Sequence, residues 1–178
     1  MDERYIQPDT TRDTTSGERE GVWPATVWSA GGVPGRELRM RVSARNHFVG
    51  LVQARSRGAI NTEVLLSLDG GEYLTATVTN RAAEHLGITL GQQCHALFKA
   101  SSVLVGTGEA RLSVRNVYCG TVVDLQRGPV NAELTLRTAG GLELTAMLTA
   151  AAVDSLGMAV GVEAFALVKA SAVILAVE

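Results

Sequence analysis

Very little of this 178-residue chain is lysine, aromatic or cysteine, and no apolar run approaches the roughly 18 residues that a membrane helix requires. Each scarcity excludes something. Aromatic residues make up only 4% of the sequence, too few for the stacking platforms on which single-stranded nucleic acid is held. A formal charge of −2 removes the broad basic field that would draw in a long polyanion. Two cysteines, Cys94 and Cys119, cannot build a disulfide framework and read as reduced, buried thiols. No Gly-x-x-x-x-Gly-Lys-Ser/Thr phosphate loop occurs. The opening Met1-Asp2-Glu3-Arg4 lacks the basic and then apolar stretches of an export signal, which predicts a cytoplasmic protein.

Of sixteen basic side chains only Lys99 and Lys169 are lysines, and the 70 positions between them are also the period of an internal repeat. Placing 43–108 on 113–178 without a gap gives about 26 identities in roughly 66 positions. The chain is therefore two tandem copies of one small unit. Ser43, Arg45 and Asn46 match Ser113, Arg115 and Asn116, and the segments Asn61-Thr62-Glu63 and Asn131-Ala132-Glu133 correspond. So do Gly70-Gly71 and Gly140-Gly141, Thr79 and Thr149, and Lys99-Ala100-Ser101 and Lys169-Ala170-Ser171. Many of these positions are polar or glycine, which core packing alone does not explain. The cysteines face Ala164 and Val49 in the other copy, and His47, His85 and His95 face Val117, Ser155 and Phe165, so no repeated metal centre is present.

Residues 1–40 have no counterpart in the repeat and read as an irregular N-terminal arm with little core, although it holds both tryptophans, Trp23 and Trp28. The copies proper occupy 41–108 and 111–178. Their apolar spacing is of strand type. Strands are predicted over 48–55, 61–68, 73–78, 94–99 and 103–105, with a short helix over 81–86 capped by Thr79 or Asn80 and closed by Gly87. The second copy predicts strands over 118–125, 131–137, 142–148, 164–169 and 173–177, with a helical turn over 151–156. This pattern predicts an all-β chain of two tandem five-stranded barrels of the OB type, each with a short helix.

The repeated polar residues are donors: hydroxyls, a guanidinium, an ammonium and a carboxamide. Glu63 and Glu133 are the only identical carboxylate the two copies share, and no nucleophile with a base accompanies them, so binding without turnover is the reading and no enzyme is expected. With an acidic net charge the donors must converge in a confined pocket, which favours a small oxyanion held by charge-assisted hydrogen bonds.

At these residues the sequence resembles the Mop (molbindin) family, the molybdate- or tungstate-binding type of TOBE domain. The resemblance rests on Ser43-Ala44-Arg45-Asn46 and Ser113-Val114-Arg115-Asn116, on 57–63 with 127–133, and on Lys99 to Val103 with Lys169 to Val173. It implies a di-Mop protein that assembles as a homotrimer of two-domain chains and stores, buffers or delivers molybdate or tungstate, with no catalytic cofactor. It implies as ligands Ser43, Arg45, Lys99 and Ser101, and Ser113, Arg115, Lys169 and Ser171. Ala100 and Ala170 would add backbone N–H groups, Thr79 and Thr149 would reach in from a neighbouring domain, and Asn46 and Asn116 stand beside them as candidate donors. The chain departs from the family at Ala82 and Ala152, where a serine is usual. That departure supports a rival reading, a structural oligomerisation module whose sites have decayed. An OB-type nucleic-acid binder is the other rival, and composition weighs against it.

Overall fold

The structure, a computed structural model, describes residues 42–108 and 112–177; the predicted arm with its two tryptophans lies outside them. In chain order the elements are β1 (Asn46–Arg57), β2 (Asn61–Leu68), β3 (Tyr73–Thr79), α1 (Asn80–His85), β4 (Gln93–Phe98) and β5 (Val103–Gly106). The second copy supplies β6 (Asn116–Arg127), β7 (Asn131–Thr138), β8 (Glu143–Thr149), α2 (Ala150–Ser155), β9 (Glu163–Val168) and β10 (Ile174–Ala176). Alternation fixes which face each strand buries: in β2, Thr62, Val64, Leu66 and Leu68 point inward while Asn61, Glu63, Leu65 and Ser67 point outward. Both long strands carry a bulge, at Val52/Ala54 and Val122/Asp124, which bends them enough to serve two neighbours. The helices are set as predicted. The Thr79 and Thr149 hydroxyls accept from the backbone N–H of Ala82 and Ala152, and Gly87 and Gly157 take φ of 60° and 62° just beyond the ends.

Two five-stranded antiparallel sheets result, but the fifth strands are exchanged. One sheet runs β10-β4-β1-β2-β3 and the other β5-β9-β6-β7-β8. The last strand of the first copy lies on β9, with Val103 opposite Val168, and the last strand of the second lies on β4, with Ile174 opposite Leu97. Two-barrel architecture therefore stands, while the allocation of strands differs from the sequential one. The cause is local. The 3-10 turns at Ala100–Ser102 and Ala170–Ala172 follow β4 and β9 directly and pack against β8 and β3 of the opposite copy, so the chain is already across when the next strand begins. Val103 and Leu175, 2% and 6% exposed, are then buried in the barrel of the other copy, where each contributes about 1.5–3 kcal/mol. One continuous apolar core runs through both barrels.

Candidate functional site

Asn46 pairs with Phe98 across β1 and β4, so the segment Ser43-Ala44-Arg45 and the residue Lys99 leave the same end of the sheet. The turn that begins at Ala100 follows, with the Ser102 N–H donating to the Lys99 carbonyl, and this turn lies on β8, the strand that ends in Thr149. The second copy repeats this: Asn116 pairs with Val168, and the turn after Lys169 lies on β3, which ends in Thr79. Ser43, Arg45, Lys99 and Ser101 are exposed, as are Ser113, Arg115, Lys169 and Ser171, whereas Ala100 and Ala170 are buried. Each donor cluster thus belongs to one copy and rests against the third strand of the other. Thr79 and Thr149, exposed at the ends of those strands, use a lone pair for the helix cap and keep their O–H as a donor.

Asn46 and Asn116 are placed differently from the other candidates. They are 1% and 2% exposed. The Asn46 carboxamide donates to the Thr145 carbonyl and accepts from the Thr145 N–H, both at 2.8 Å. Asn116 makes the matching pair with Thr75, at 2.9 and 2.7 Å, and donates again to the Val168 carbonyl at 3.0 Å. These amides are spent on backbone and join the barrels rather than facing an exposed pocket. Sequence reasoning missed this role, although Asn46 has the inward parity of Gly50 and Val52 in β1.

The arginines also reach across. Arg45 Nη2 lies 3.1 Å from Glu133 Oε1, and Arg115 Nη2 lies 3.1 Å from Glu63 Oε2. Arg45 shares an open cleft with Arg127, Asn131, Glu133 and Met147 of the second copy. These arginines are about two-thirds exposed, so solvent holds each pair to about 0–1 kcal/mol. A dianion could displace such a carboxylate at small cost. The sequence placed Glu63 and Glu133 within a strand; their pairing with the arginines of the opposite copy was visible only in the fold.

Where the β2–β3 and β7–β8 hairpins meet, the copies differ. Glu72 accepts a short hydrogen bond from the Thr138 hydroxyl, its Oε2 is buried without a hydrogen-bond partner, and the Tyr118 hydroxyl donates to the Tyr73 carbonyl at 2.8 Å. Burial, and then the Glu72 carboxylate, push the Tyr118 phenol far up from its ordinary value of 10.0. The equivalent residues on the other side are Leu142, Leu68 and Phe48, all apolar. Cys94 is buried, as predicted, and burial raises its thiol; Cys119 is exposed, because it points outward from β6.

A family model described as the TOBE domain matches residues 42–105 and again 112–175. Among solved structures, the cytoplasmic molybdate-binding protein ModG in a molybdate-bound form superposes with a TM-score of 0.75 at 46% identity, covering 78% of this chain and all of that one. Curated relatives include the molybdenum transport protein ModE of Azotobacter vinelandii, 40% identical over 141 residues, and the molybdenum-pterin-binding protein MopA of Rhodobacter capsulatus, 41% identical over 153. Those matches cover 79% and 85% of this chain but 52% and 55% of the relatives, so the chain spans about half the length of the curated proteins it matches.

Proposed function

Since the chain belongs to the TOBE domain family, with two Mop-like domains in tandem, we propose that it binds molybdate or tungstate without turnover, at sites where the domains meet, and stores, buffers or delivers the anion in the cytoplasm. The observation that carries this reading is the crossing of donors between copies: Arg45 and the Lys99-Ala100-Ser101 turn rest on the second copy, and Arg115 and the Lys169-Ala170-Ser171 turn on the first. Ser43, Ser113, Thr79 and Thr149 complete the proposed donor sets, with the domains taken as 41–108 and 111–178. The lysines supply a compact charge that a guanidinium does not mimic. Arg45 and Arg115 turn from Glu133 and Glu63 to the incoming dianion.

Assembly into a homotrimer is part of the proposal. Exposed apolar residues recur in register, Ile60 with Val130, Leu90 with Val160 and Leu104 with Ile174, and every one is more than 60% exposed. Repetition at matching positions is what a symmetric assembly would cover. Each of these apolar pairs would then be buried at equivalent contacts.

Titration calorimetry with molybdate, tungstate, sulfate and phosphate tests the reading. Molybdate should bind at micromolar or better, about −8 kcal/mol, and sulfate far more weakly, because its smaller frame leaves desolvated donors unpaired. Equal affinity for sulfate, or no heat with molybdate, defeats the proposal. Light scattering at micromolar protein should report three chains, and a single chain with and without molybdate would defeat the trimer.

A further inference from the structure

The first barrel carries a feature its twin lacks. His47 projects outward from β1 and His95 from β4 on the same face, diagonally and two residues out of register, since Val49 is the residue opposite His95 and Leu97 the one opposite His47. Their rings approach to 5.1 Å between centroids at an interplanar angle of 31°, and His47 Nε2 stands 2.9 Å from His95 Nδ1. One ring donates and the other accepts, so at least one imidazole holds a lone pair directed at its neighbour. At the matching positions the second barrel has Val117 and Phe165.

That nitrogen separation matches a metal chelate. Two imidazole nitrogens each about 2.0–2.1 Å from one ion stand about 2.9 Å apart at a right angle and about 3.3 Å apart at the tetrahedral angle. Turning each ring until its lone pair lies about 35–45° off the N–N line brings both lone pairs onto a common ion in place of the shared proton. The strands are paired over six residues, so the backbone holds the two ligands in register before any ion arrives. Pre-organisation of this kind removes much of the ordering cost of binding.

The geometry points to a bis-histidine site at His47 and His95 for a late first-row divalent cation, Cu2+ or Ni2+ ahead of Zn2+, separate in chemistry from the oxyanion donors. Nitrogen ligands at a right-angle bite favour the tetragonal ions and disfavour Mg2+ and Ca2+, which take oxygen. Among the described residues no group of three or more His, Cys, Asp or Glu could hold a metal, so the described protein ligands are these two imidazoles. Binding ties β1 to β4, the two strands that with β10 form one edge of the first barrel.

The test uses the full chain as Cys119→Ser, which removes the exposed thiol as a competing ligand, titrated with NiCl2 by calorimetry. One equivalent per chain at micromolar affinity is expected, with MgCl2 giving no heat. His47→Gln and His95→Gln should each lower Ni2+ affinity by about tenfold or more, whereas His85→Gln should leave it unchanged. Circular dichroism without metal checks that each variant is folded. In the unmutated chain, substoichiometric Ni2+ should broaden two of the three histidine ring resonances ahead of the third, a readout that needs no substitution. Absence of binding at 100-fold excess over a micromolar Kd, binding equal to the parent in both glutamine variants, or loss of binding on Cys119→Ser would overturn the site.

Discussion

The two copies are a controlled experiment within one chain, because the same fold is built twice from sequences that differ at more than half of their positions. Among what they keep are contacts that cross between them: Asn46 and Asn116 on the opposite backbone, Arg45 and Arg115 on the opposite glutamate, and the turns at Lys99 and Lys169 on the opposite third strand. What they vary includes a pair within one barrel and a set of crossing bonds, Thr138 to Glu72 and Tyr118 to Tyr73, that only one of the two hairpin junctions makes. His47 and His95 become Val117 and Phe165, and Tyr118, Glu72 and Thr138 become Phe48, Leu142 and Leu68. Crossing alone therefore does not preserve a residue: the asparagine, arginine and lysine contacts are made in both directions and kept, whereas the Glu72–Thr138–Tyr118 cluster is made once and replaced as a set by Leu142, Leu68 and Phe48.

Four measurements press on this comparison. The largest effect should come from the lysines: removing an ammonium that pairs with a dianion costs about 2–5 kcal/mol, so Lys99→Ala and Lys169→Ala should each abolish one class of molybdate site in calorimetry. Unchanged stoichiometry and affinity in the double variant would place the anion elsewhere. Next are the crossing amides. Asn116→Ala removes three hydrogen bonds and strands the buried Thr75 groups, for about 3 kcal/mol in urea unfolding. Asn46→Ala removes two, for about 2 kcal/mol, and equal losses would mean that the Val168 bond carries no weight.

The third exploits the polar cluster found on one side only. Tyr118 keeps its proton in the folded state beyond the pH at which the unfolded phenol, near 10.0, has released it. The native state then binds more protons than the unfolded one, so stability falls as pH rises above that value, by up to about 1.4 kcal/mol per pH unit. Tyr118→Phe, which copies Phe48, should lose about 1 kcal/mol at neutral pH with the Tyr73 bond and should show a shallower alkaline decline. An identical alkaline slope in parent and variant would remove Tyr118 from the account. The smallest effect belongs to the matched surface pairs Arg57–Glu84 and Arg127–Asp154: alanine at either arginine should shift stability by less than about 0.5 kcal/mol. A larger loss at one of them would expose an asymmetry that the geometry does not contain.

Much of this was legible before any coordinates. The repeat, the barrels, the Thr79 cap and the glycine that closes each helix follow from period, propensity and backbone chemistry, each of which acts over a few residues. Strand exchange was not, because alternation in β5 and β10 says which face is buried and nothing about which sheet it is buried in. Asn46 and Asn116 were read as donors for an anion, since a repeated polar residue beside a strand looks the same whether solvent or another backbone awaits it. Inward parity was the available clue. His47 and His95 lie 48 positions apart, and only the β1–β4 register brings them together.

Exchange of the final strands also sets a timetable. The first barrel is completed by Ile174–Ala176, the last strand of the second copy, so during synthesis β4 waits with an open edge until the second copy has been made. The nascent first copy therefore has to be shielded from other strands, or remain loosely folded, while the second is translated. The second barrel can close once β9 is made and the first once β10 is made, and a cut between 106 and 112 would leave two fragments that each complete the other. By the same reasoning, an ancestor carrying a single copy could have closed its barrel by trading strands with a second chain, and duplication would then have turned a meeting of two molecules into an event within one.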